Sequence, residues 1–481
     1  MMLVAGVDSS TQSTKVLLCQ AEDGAVVGQS SAPHPDGTES DPELWWKALG
    51  EAGRGLLDRA DAIGVAAQQH GMVVLDEAGQ VIRPALLWND MRSAPQAAAL
   101  IAELGGRAEW ARRTGSVPTA SFTVTKLRWL AEHEPAAAER TAHVLLPHDW
   151  LTWRLTGGAG SRGGPGSRGG VGSRGGLVEA ASDRGDASGT GYFSPAASQW
   201  LPEIATAALG HPVGLPRLAA PAEIVGRTPG GAALSAGTGD NMGAALGLSV
   251  GLGEVVVSIG TSGTAYAVAA EPAADESGLV AGFADATGRF LPLVATVNAA
   301  RILTVTARML GTDPEGLSRL ALAAQAGADG LTLLPYLDGE RSPNRPDASG
   351  VLRGLTSTNT TPENLARAAV EALLCSLADA IGNLADCGIT AQRVILIGGA
   401  ARSEAVRRIA PAIFGMPVTV PPPAEYVALG AARQAAWALS GAESPPQWPL
   451  AGTSAEYTAE PDPLVRERYA ALRDATIGWG A

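Results

Sequence analysis

Two stretches of the chain share one pattern: an apolar strand, a turn of small and hydroxyl-bearing residues, and a second apolar strand. The first stretch runs from Leu3 to Leu18 and the second from Gly253 to Val268. This pattern is typical of a β-hairpin. Because its recurrence far downstream indicates an internal duplication, we predict two similar halves with a cleft between them.

The length of the chain also favours more than one domain. Its 481 residues exceed what one hydrophobic core usually serves. Short β-branched runs alternate with Ala- and Leu-rich helical periodicity, as in Val394–Ile397 followed by Ser403–Ile413. This alternation predicts an α/β fold in which helices pack on mixed sheets.

The domain boundaries are predicted from these patterns. We expect an N-terminal domain of residues 1–246, a C-terminal domain of residues 247–440, and a tail of residues 441–481 that ends in a helix near Leu464–Thr476. A six-residue unit, GSRGG followed by one further residue, occurs three times within Gly160–Leu177. It has no apolar face to bury, so we interpret it as a flexible surface loop without a function.

Charge and cysteine content limit the classes of partner. A formal net charge of −13 argues against binding to nucleic acid or to an anionic membrane surface. The N-terminus lacks the basic region of a signal peptide, and no uninterrupted apolar run approaches the about 20 residues that cross a bilayer. The three cysteines, Cys19, Cys375 and Cys387, are scattered. We therefore expect a cytoplasmic protein with a small-molecule partner.

The two hairpin turns carry groups that suit phosphate. The first contains Asp8 and Thr11, with Lys15 on the strand that follows, and it offers hydroxyls, backbone N–H groups and a carboxylate for a hydrated metal. In the second, Gly260 allows close backbone approach and Thr261 adds a hydroxyl. Two such turns facing one cleft predict a nucleotide clamp. Taken alone, the first turn is equally compatible with a purely structural role, because Asp and Ser favour turns.

A third element has the composition of an adenosine site. Gly399 and Ala400 follow an apolar strand, and Ser403 stands where a helix begins. A strand, a Gly-Gly turn and a capped helix leave a smooth backbone surface for a flat adenine and its ribose. A tight turn without a ligand is the alternative interpretation.

Further polar residues suit a sugar and its activation. Asp240 lies among glycines at the start of a predicted helix, where a carboxylate can act as a general base or simply as a helix N-cap. Gln69, His70 and Trp88 follow apolar strands and carry the hydrogen-bonding groups expected around a polyhydroxylated ligand. His70 is also compatible with a structural role.

Together these residues resemble the FGGY family of carbohydrate kinases. The stretch Ser121–His133 is similar to the family's N-terminal signature, and Gly350–Leu355 with Asn364–Glu371 is similar to its C-terminal signature. The resemblance implies two actin-like ATPase domains, also described as ribonuclease H-like, with an interdomain cleft. The repeated GSRGG unit is not a feature of the family.

The resemblance also implies an activity and its residues. It implies ATP-dependent, Mg²⁺-supported phosphorylation of a ketose, and the runs Gln69–Gly71, Leu87–Arg92, Pro147–Asp149 and Leu334–Pro343 are most similar to family members that phosphorylate D-xylulose on C5. By this resemblance, Asp240 is the catalytic base, and Asp8 supports the phosphates and, through water, a metal. Sugar binding is implied for Gln69, His70 and Asn241. Phosphate binding is implied for Thr261, and adenosine binding for Gly399, Ala400 and Ser403.

Two alternatives accompany this prediction. A kinase of the same fold acting on another sugar or polyol, such as L-ribulose, gluconate, fuculose or glycerol, would share the phosphate-binding residues and differ in a few sugar-site residues. A non-kinase actin-like ATPase would turn over ATP without a sugar and assemble with increasing concentration. A homodimer is an expectation from the family alone.

Overall fold

The structure is a computed structural model that describes residues 2–158 and 180–479. The surface loop predicted for Gly160–Leu177 lies outside the described residues. The helix predicted near Leu464–Thr476 is present as Pro463–Ala475.

Twenty-four strands occur in the described residues. Up to Gly239 they are β1 (Leu3–Ser9), β2 (Ser13–Gln20), β3 (Val26–Pro33), β4 (Glu39–Ser40), β5 (Ala62–Ala67), β6 (Val73–Leu75), β7 (Ala85–Leu86), β8 (His143–Leu145), β9 (Ala181–Ser182), β10 (Phe193–Ser194), β11 (Gln199–Trp200), β12 (Arg217–Leu218), β13 (Ile224–Arg227), β14 (Ala233–Ser235) and β15 (Thr238–Gly239). Beyond it they are β16 (Glu254–Ile259), β17 (Gly263–Ala267), β18 (Ala281–Ala284), β19 (Phe290–Thr296), β20 (Thr332–Leu334), β21 (Val351–Arg353), β22 (Arg393–Ile397), β23 (Val418–Val420) and β24 (Ala455–Tyr457).

Fifteen α-helices accompany these strands within the same described ranges. They are α1 (Pro42–Ala52), α2 (Ala94–Glu103), α3 (Gly106–Thr114), α4 (Thr123–His133), α5 (Pro135–Arg140), α6 (Pro147–Leu155), α7 (Arg184–Ala187), α8 (Pro202–Leu209), α9 (Asp240–Gly247), α10 (Ala300–Met309), α11 (Pro314–Ala323), α12 (Pro362–Asp386), α13 (Glu404–Phe414), α14 (Tyr426–Ser440) and α15 (Pro463–Ala475).

The chain forms two compact units that interleave along the sequence. Unit 1 comprises Met1–Ser249, Ala269–Leu291 and Ala424–Pro449, and unit 2 comprises the remaining residues. The boundaries expected after residues 246 and 440 stay a prediction, because these units are defined by packing rather than by continuous ranges.

The main sheet of unit 1 contains the first predicted hairpin. Its strands run in the order β13, β14, β5, β1, β2, β3. β1 and β2 pair antiparallel, so the hairpin is confirmed. β5 runs parallel to β1, and the short strand β15 continues the sheet by pairing parallel to the end of β5.

Both faces of this sheet are covered, which explains why β1 is apolar along almost its whole length. On one face of the hairpin, side chains such as Val4 and Leu17 pack against the alanines of α14. On the other face, side chains such as Val7 pack with Trp45 and Trp150. Alternation of side chains across a strand produces the two sets. The approach of α14 requires glycine at Gly6, where an added Cβ would lie 1.8 Å from a backbone oxygen of that helix.

Helix α9 is held against α14 by glycines as well. A Cβ added at Gly430 would lie 1.8 Å from the carbonyl oxygen of Gly243, and one added at Gly247 would lie 2.1 Å from the carbonyl oxygen of Tyr426. The two helix backbones therefore touch directly. This contact fixes the position of α9, whose first residue is Asp240.

Unit 2 repeats the arrangement of hairpin and parallel neighbour. From β19 onward, the strands of its sheet run in the order β19, β17, β16, β22, β23, β24. β16 and β17 form the second predicted hairpin, which is confirmed, and β22 pairs parallel to β16. The order found in unit 1, with β5, β1, β2 and β3, thus recurs with β22, β16, β17 and β19.

Helix α12 lies in the core of unit 2. It is long and apolar enough to span a membrane, but 78% of its most apolar window is buried within the protein, and core helices of water-soluble proteins meet the same criterion. The helix is therefore weak evidence for a membrane segment.

Candidate active site

Three polar segments leave the sheet of unit 1 at the carboxyl ends of adjacent parallel strands. Asp8 lies at the end of β1, Gln69 follows β5, and Asp240 follows β15. The strand register aligns Ser9 with Ala67 and Gly239 with Ala67, so all three segments emerge at the same sheet edge. Carboxyl ends of parallel strands are the usual ligand side of an α/β sheet. The prediction that these residues share a site therefore has a structural basis.

Asp240 is the first residue of α9, and the N-cap position is occupied by Gly239. The interpretation of Asp240 as an N-cap is therefore wrong. Its Oδ1 accepts hydrogen bonds from the backbone N and from Nδ2 of Asn241, both at 2.8 Å. Burial, followed by the nearby charge of Asp8, raises the pKa of Asp240 to about 7, against two opposing hydrogen bonds from Asn241. A carboxyl with this pKa can gain and lose a proton at neutral pH.

Asn241 connects Asp240 to the amide of Gln69. Asn241 Nδ2 also donates to Gln69 Oε1 at 3.2 Å. The Gln69 side chain is buried, and in the described part of the chain its Nε2 has no hydrogen-bond acceptor. A buried amide donor without an acceptor is costly unless a ligand satisfies it. The observation supports Gln69 as a ligand-binding residue.

The Asp8 carboxylate lies at the end of β1 and is buried. Its Oδ1 accepts a hydrogen bond from Ser10 Oγ at 2.5 Å. Burial raises the pKa of Asp8 to about 6, although Ser10 and the charge of Lys15 lower it. Within residues 2–158 and 180–479 there is no group of three His, Cys, Asp or Glu residues that could hold a metal ion. Asp8 thus offers one carboxylate for a cation that takes most of its ligands elsewhere.

Thr11 and Lys15 already have partners inside unit 1. Trp88 Nε1 donates to Thr11 Oγ1 at 2.8 Å, which places the Trp88 ring beside the first hairpin turn. Thr11 Oγ1 in turn donates weakly to Gln68 Oε1 at 3.4 Å. Lys15 Nζ pairs with Glu425 Oε2 at 2.6 Å. Because an ammonium group carries three N–H donors, this ion pair leaves Lys15 able to donate to a phosphate as well.

His70 is fixed through both its side chain and its backbone. Its φ of 68° is in the left-handed region that non-glycine residues rarely adopt. The ring contacts Phe122 and Phe283, with centroid distances of 5.0 Å and 5.9 Å, and Nδ1 donates to the carbonyl oxygen of Gly189 at 2.7 Å. An immobilised ring of this kind keeps the tautomer that carries hydrogen on Nδ1.

Lys126 supports this conformation, and no role for it was predicted from the sequence. Its side chain is fully buried, and Nζ donates to the carbonyl oxygens of His70 and Ser121, both at 2.7 Å. Burial lowers the pKa of Lys126 to about 7. The only available signal was its place in the family signature, because the contact joins residues far apart in sequence.

The remaining predicted residues lie in unit 2, at the carboxyl ends of its own adjacent parallel strands. Register places Ser258 beside Ile397, so Gly260 and Thr261 leave β16 where Gly399 leaves β22. The chains approach closely there, since a Cβ added at Gly398 would lie 2.6 Å from the carbonyl oxygen of Ile259.

These residues differ in exposure and in available groups. Gly260, Thr261 and Gly399 are exposed, whereas Ala400 is buried. Ser403 caps α13, and its hydroxyl accepts a hydrogen bond from the backbone N of Val406 at 3.5 Å, as the sequence predicted. The second turn and the Gly-Gly element thus occupy one edge of the unit 2 sheet.

Comparison with known proteins agrees with this arrangement. The profile of the FGGY family of carbohydrate kinases, N-terminal domain, matches residues 3–248, and that of the C-terminal domain of the same family matches residues 255–439. Together the two profiles span both hairpins and most of the chain.

Several relatives that are similar along most of their length are xylulose kinases. A xylulose kinase of Streptomyces coelicolor is 46% identical over 459 residues, covering 92% of this chain and 89% of the relative. A xylulose kinase of Escherichia coli is 34% identical, covering 97% and 96%. The crystal structure of xylulose kinase from Bifidobacterium adolescentis superposes with a TM-score of 0.89 at 44% identity, covering 98% of this chain and 99% of that one.

The predicted α/β fold of two actin-like, ribonuclease H-like domains is confirmed by these matches together with the recurring strand order. The chain belongs to the FGGY family of carbohydrate kinases.

Proposed function

We propose that this chain is an ATP-dependent xylulose kinase that transfers the γ-phosphoryl group of ATP to the C5 hydroxyl of D-xylulose, giving D-xylulose 5-phosphate and ADP. The observation that carries the proposal is the 46% identity to a xylulose kinase along 92% of the chain. The aligned region extends into both family domains, and a few residues of the sugar site decide which member of a kinase family acts on which substrate.

Asp240 is assigned as the general base. Both hydrogen bonds from Asn241 engage Oδ1, so Oδ2 is the oxygen that accepts the hydroxyl proton. As the proton moves to Asp240, the sugar oxygen forms its bond to phosphorus, and the bond between phosphorus and the leaving ADP oxygen breaks. A pKa near 7 leaves a large share of Asp240 ionised at neutral pH and keeps it basic enough to take the proton.

The sugar is assigned to the groups around this base. Gln69 Nε2 supplies a buried donor for a sugar hydroxyl, and Asn241 holds both Gln69 and Asp240 in register. His70 and Trp88 present rigid rings with polar edges, each held by hydrogen bonds to the protein. Because these side chains are already fixed, they lose little conformational entropy when they bind the sugar and hold its hydroxyl for in-line attack.

The residues that the sequence predicts for nucleotide binding are assigned to ATP. In unit 1, Thr11 and Lys15 are proposed for the phosphates. In unit 2, Gly260 and Thr261 expose backbone N–H groups and a hydroxyl, a typical anion-binding arrangement. The Gly-Gly element is proposed for adenosine and comprises Gly399, Ala400 and Ser403.

A magnesium ion accompanies ATP in this proposal and, when bound, neutralises charge on the transferring phosphoryl group. We assign Asp8 to hold it through water. One buried carboxylate with a neighbouring hydroxyl fits a cation that takes most of its ligands from phosphate oxygens and water. A cytoplasmic location and a homodimer remain predictions.

A substrate panel tests the activity. Purified protein is incubated with ATP, Mg²⁺ and one of D-xylulose, L-ribulose, gluconate, fuculose or glycerol, and ADP release is measured by a coupled assay. We expect the highest kcat/KM for D-xylulose, with a 5-phosphate as product by NMR. A higher value for another sugar would replace the assigned substrate. An equal rate of ADP release with and without each sugar would instead favour a non-kinase ATPase.

A further inference from the structure

A buried cluster of one histidine and three carboxylates lies in unit 1, and the mechanism above does not use it. His148 on α6 faces Asp186 Oδ2 through Nδ1 at 2.6 Å. Its Nε2 lies 3.2 Å from Asp149 Oδ1 and 3.7 Å from Asp183 Oδ1. All four side chains are at most 5% exposed. Buried charges are costly unless they are paired, so the composition of this cluster requires an explanation.

The cluster contacts the segment that leads into Asp240. Asp183 Oδ2 accepts a hydrogen bond from Thr238 Oγ1 at 3.1 Å. The His148 ring lies so close to Gly237 that an added Cβ there would be 2.5 Å from its Cδ2. The Asp183 side chain and the His148 ring therefore hold the backbone of β15 immediately before the proposed base.

The charges of the cluster also reach the base. Burial alone would lower the pKa of His148, but the charges of Asp149 and Asp186 raise it to about 10. Burial raises the pKa of Asp186 to about 6, and the charge of Asp240 contributes to that rise. The coupling between Asp186 and Asp240 is mutual, since each carboxylate disfavours ionisation of the other.

Other charged groups near these residues also shift the pKa values of the carboxyls. Asp8 faces Asp240 from β1 and disfavours its ionisation. Lys15 and Glu425 act on Asp8 with opposite signs. On the other side of the cluster, Tyr192 is buried and un-ionised, because burial and two carboxylates raise the pKa of its hydroxyl. Arg184 on α7 adds a second positive charge near Asp183. His148 is the cation that contacts Asp186 directly.

We propose that His148 is a positioning residue: as a buried imidazolium between Asp149, Asp183 and Asp186, it holds the strand before Asp240 and offsets the negative charge that would otherwise keep this base protonated. The proposal rests on the assignment of Asp240 as the base. It adds a residue that touches neither sugar nor ATP and acts through Asp186 and Thr238.

The first test reads protonation directly and does not depend on activity. In protein labelled with ¹⁵N at histidine, the His148 signal is identified by its loss in His148→Gln. We expect an imidazolium signal at pH 8, where ordinary histidines are neutral. A neutral tautomer at pH 8 would overturn the proposal, whether or not the variant folds well.

The second test follows Asp240 itself. The carboxyl is observed by ¹³C NMR of aspartate-labelled, ligand-free protein and identified with Asp240→Asn. In His148→Gln we expect its titration midpoint to rise by about half a pH unit or more, because a cation has been removed. In Asp186→Asn we expect it to fall, because a carboxylate has been removed while His148 keeps two others. An unchanged midpoint in both variants would overturn the proposal.

Kinetics then separate this proposal from the proposed function. The acid limb of kcat/KM for D-xylulose should move in the same directions as the two midpoints. His143→Gln is the matched control. His143 lies on β8 directly before α6, and within residues 2–158 and 180–479 no carboxylate pairs with its ring, so the acid limb of this variant should not move. If wild-type protein phosphorylates D-xylulose but His148→Gln leaves the acid limb unchanged, the positioning role is wrong and the proposed function stands. Wild-type protein inactive on every sugar defeats the proposed function, and the two NMR titrations still decide the positioning role.

Discussion

The Asp240 carboxyl combines a hydrogen-bonded oxygen with a raised pKa of about 7, caused first by burial and then by Asp8. A general base acts only when deprotonated, so below this pKa the active fraction falls tenfold for each pH unit. We predict that kcat/KM for D-xylulose is level above about pH 7.5 and declines with unit slope below about pH 6.5.

A series of initial rates across this range, at saturating ATP and low sugar, measures the decline. Asn241→Ala removes a hydrogen bond that lowers the pKa of Asp240, so its acid limb should move to higher pH. A profile in wild type that stays level to about pH 5 would show that the base has an ordinary carboxyl pKa, contrary to the assignment.

Lys126 provides a second prediction for a single residue. Lys126→Met fills a similar volume but leaves the carbonyl oxygens of His70 and Ser121 without this donor. The carbonyl oxygen of His70 keeps a hydrogen bond from Thr123 Oγ1 at 3.2 Å. A hydrogen bond that involves a charged group contributes about 1.5–3 kcal/mol, so we expect the loss of the two Lys126 bonds to lower the free energy of unfolding by about 2–4 kcal/mol. Because His70 is proposed to bind sugar, the KM for D-xylulose should rise about tenfold, with a smaller change in kcat.

Urea unfolding and sugar titrations measure both effects. The control is Lys47→Met on α1, an exposed lysine with a 3.9 Å ion pair to Glu51, whose loss should change stability by less than about 0.5 kcal/mol. Equal urea midpoints for the two variants would mean that the Lys126 hydrogen bonds do not hold His70 in place.

Between elements, the contact of α9 with α14 is the one that positions Asp240. We predict that Gly430→Ala lowers the free energy of unfolding by about 3 kcal/mol, since the added methyl group would lie 1.8 Å from a backbone oxygen of α9. Displacement of α9 should lower kcat as well, because Asp240 is its first residue.

The matched control is Gly382→Ala on α12, where an added Cβ meets nothing within 4 Å. Alanine favours a helix interior over glycine by about 0.5–1 kcal/mol, so this variant should unfold at slightly higher urea. If Gly430→Ala were as stable and as active as Gly382→Ala, the backbone contact of the two helices would not control the site.

Elements with local signals were predictable from the sequence. Both hairpins follow from turn composition, the start of α9 at Asp240 follows from the glycines before it, and the cap at Ser403 follows from its hydroxyl. Contacts between distant segments had no such signal. The Lys126 bond to His70 joins residues 56 apart, and nothing in either neighbourhood indicates the other.

Packing through glycine was equally hidden. A glycine within a helical pattern does not indicate which backbone it touches, so the direct contact at Gly430 required the structure. For the same reason, no sequence pattern indicated that Ala269–Leu291 and Ala424–Pro449 pack in unit 1. The cluster around His148 was visible only as the Pro147–Asp149 run, because two of its three carboxylates, Asp183 and Asp186, follow more than thirty residues later.

For the molecule as a whole, the family assignment and the choice of substrate rest on different evidence. Two family profiles and a recurring strand order establish a duplicated carbohydrate kinase. The net charge of −13 repels anions at long range, so we expect binding of ATP to depend on backbone N–H groups, hydroxyls and a few cations placed at the turns. The identity of the sugar rests on similarity to named relatives and on the groups around Asp240.

The most direct test of the central claim is the rate of ADP release by purified wild-type and Asp240→Asn protein, each with and without D-xylulose. We predict that the sugar accelerates the wild-type rate at least about a hundredfold, since a base that activates a hydroxyl must not waste ATP on water. Asp240→Asn, with an unchanged urea midpoint, should lose about a thousandfold in the sugar-dependent rate. A folded Asp240→Asn protein that phosphorylates D-xylulose at the wild-type rate would contradict the account.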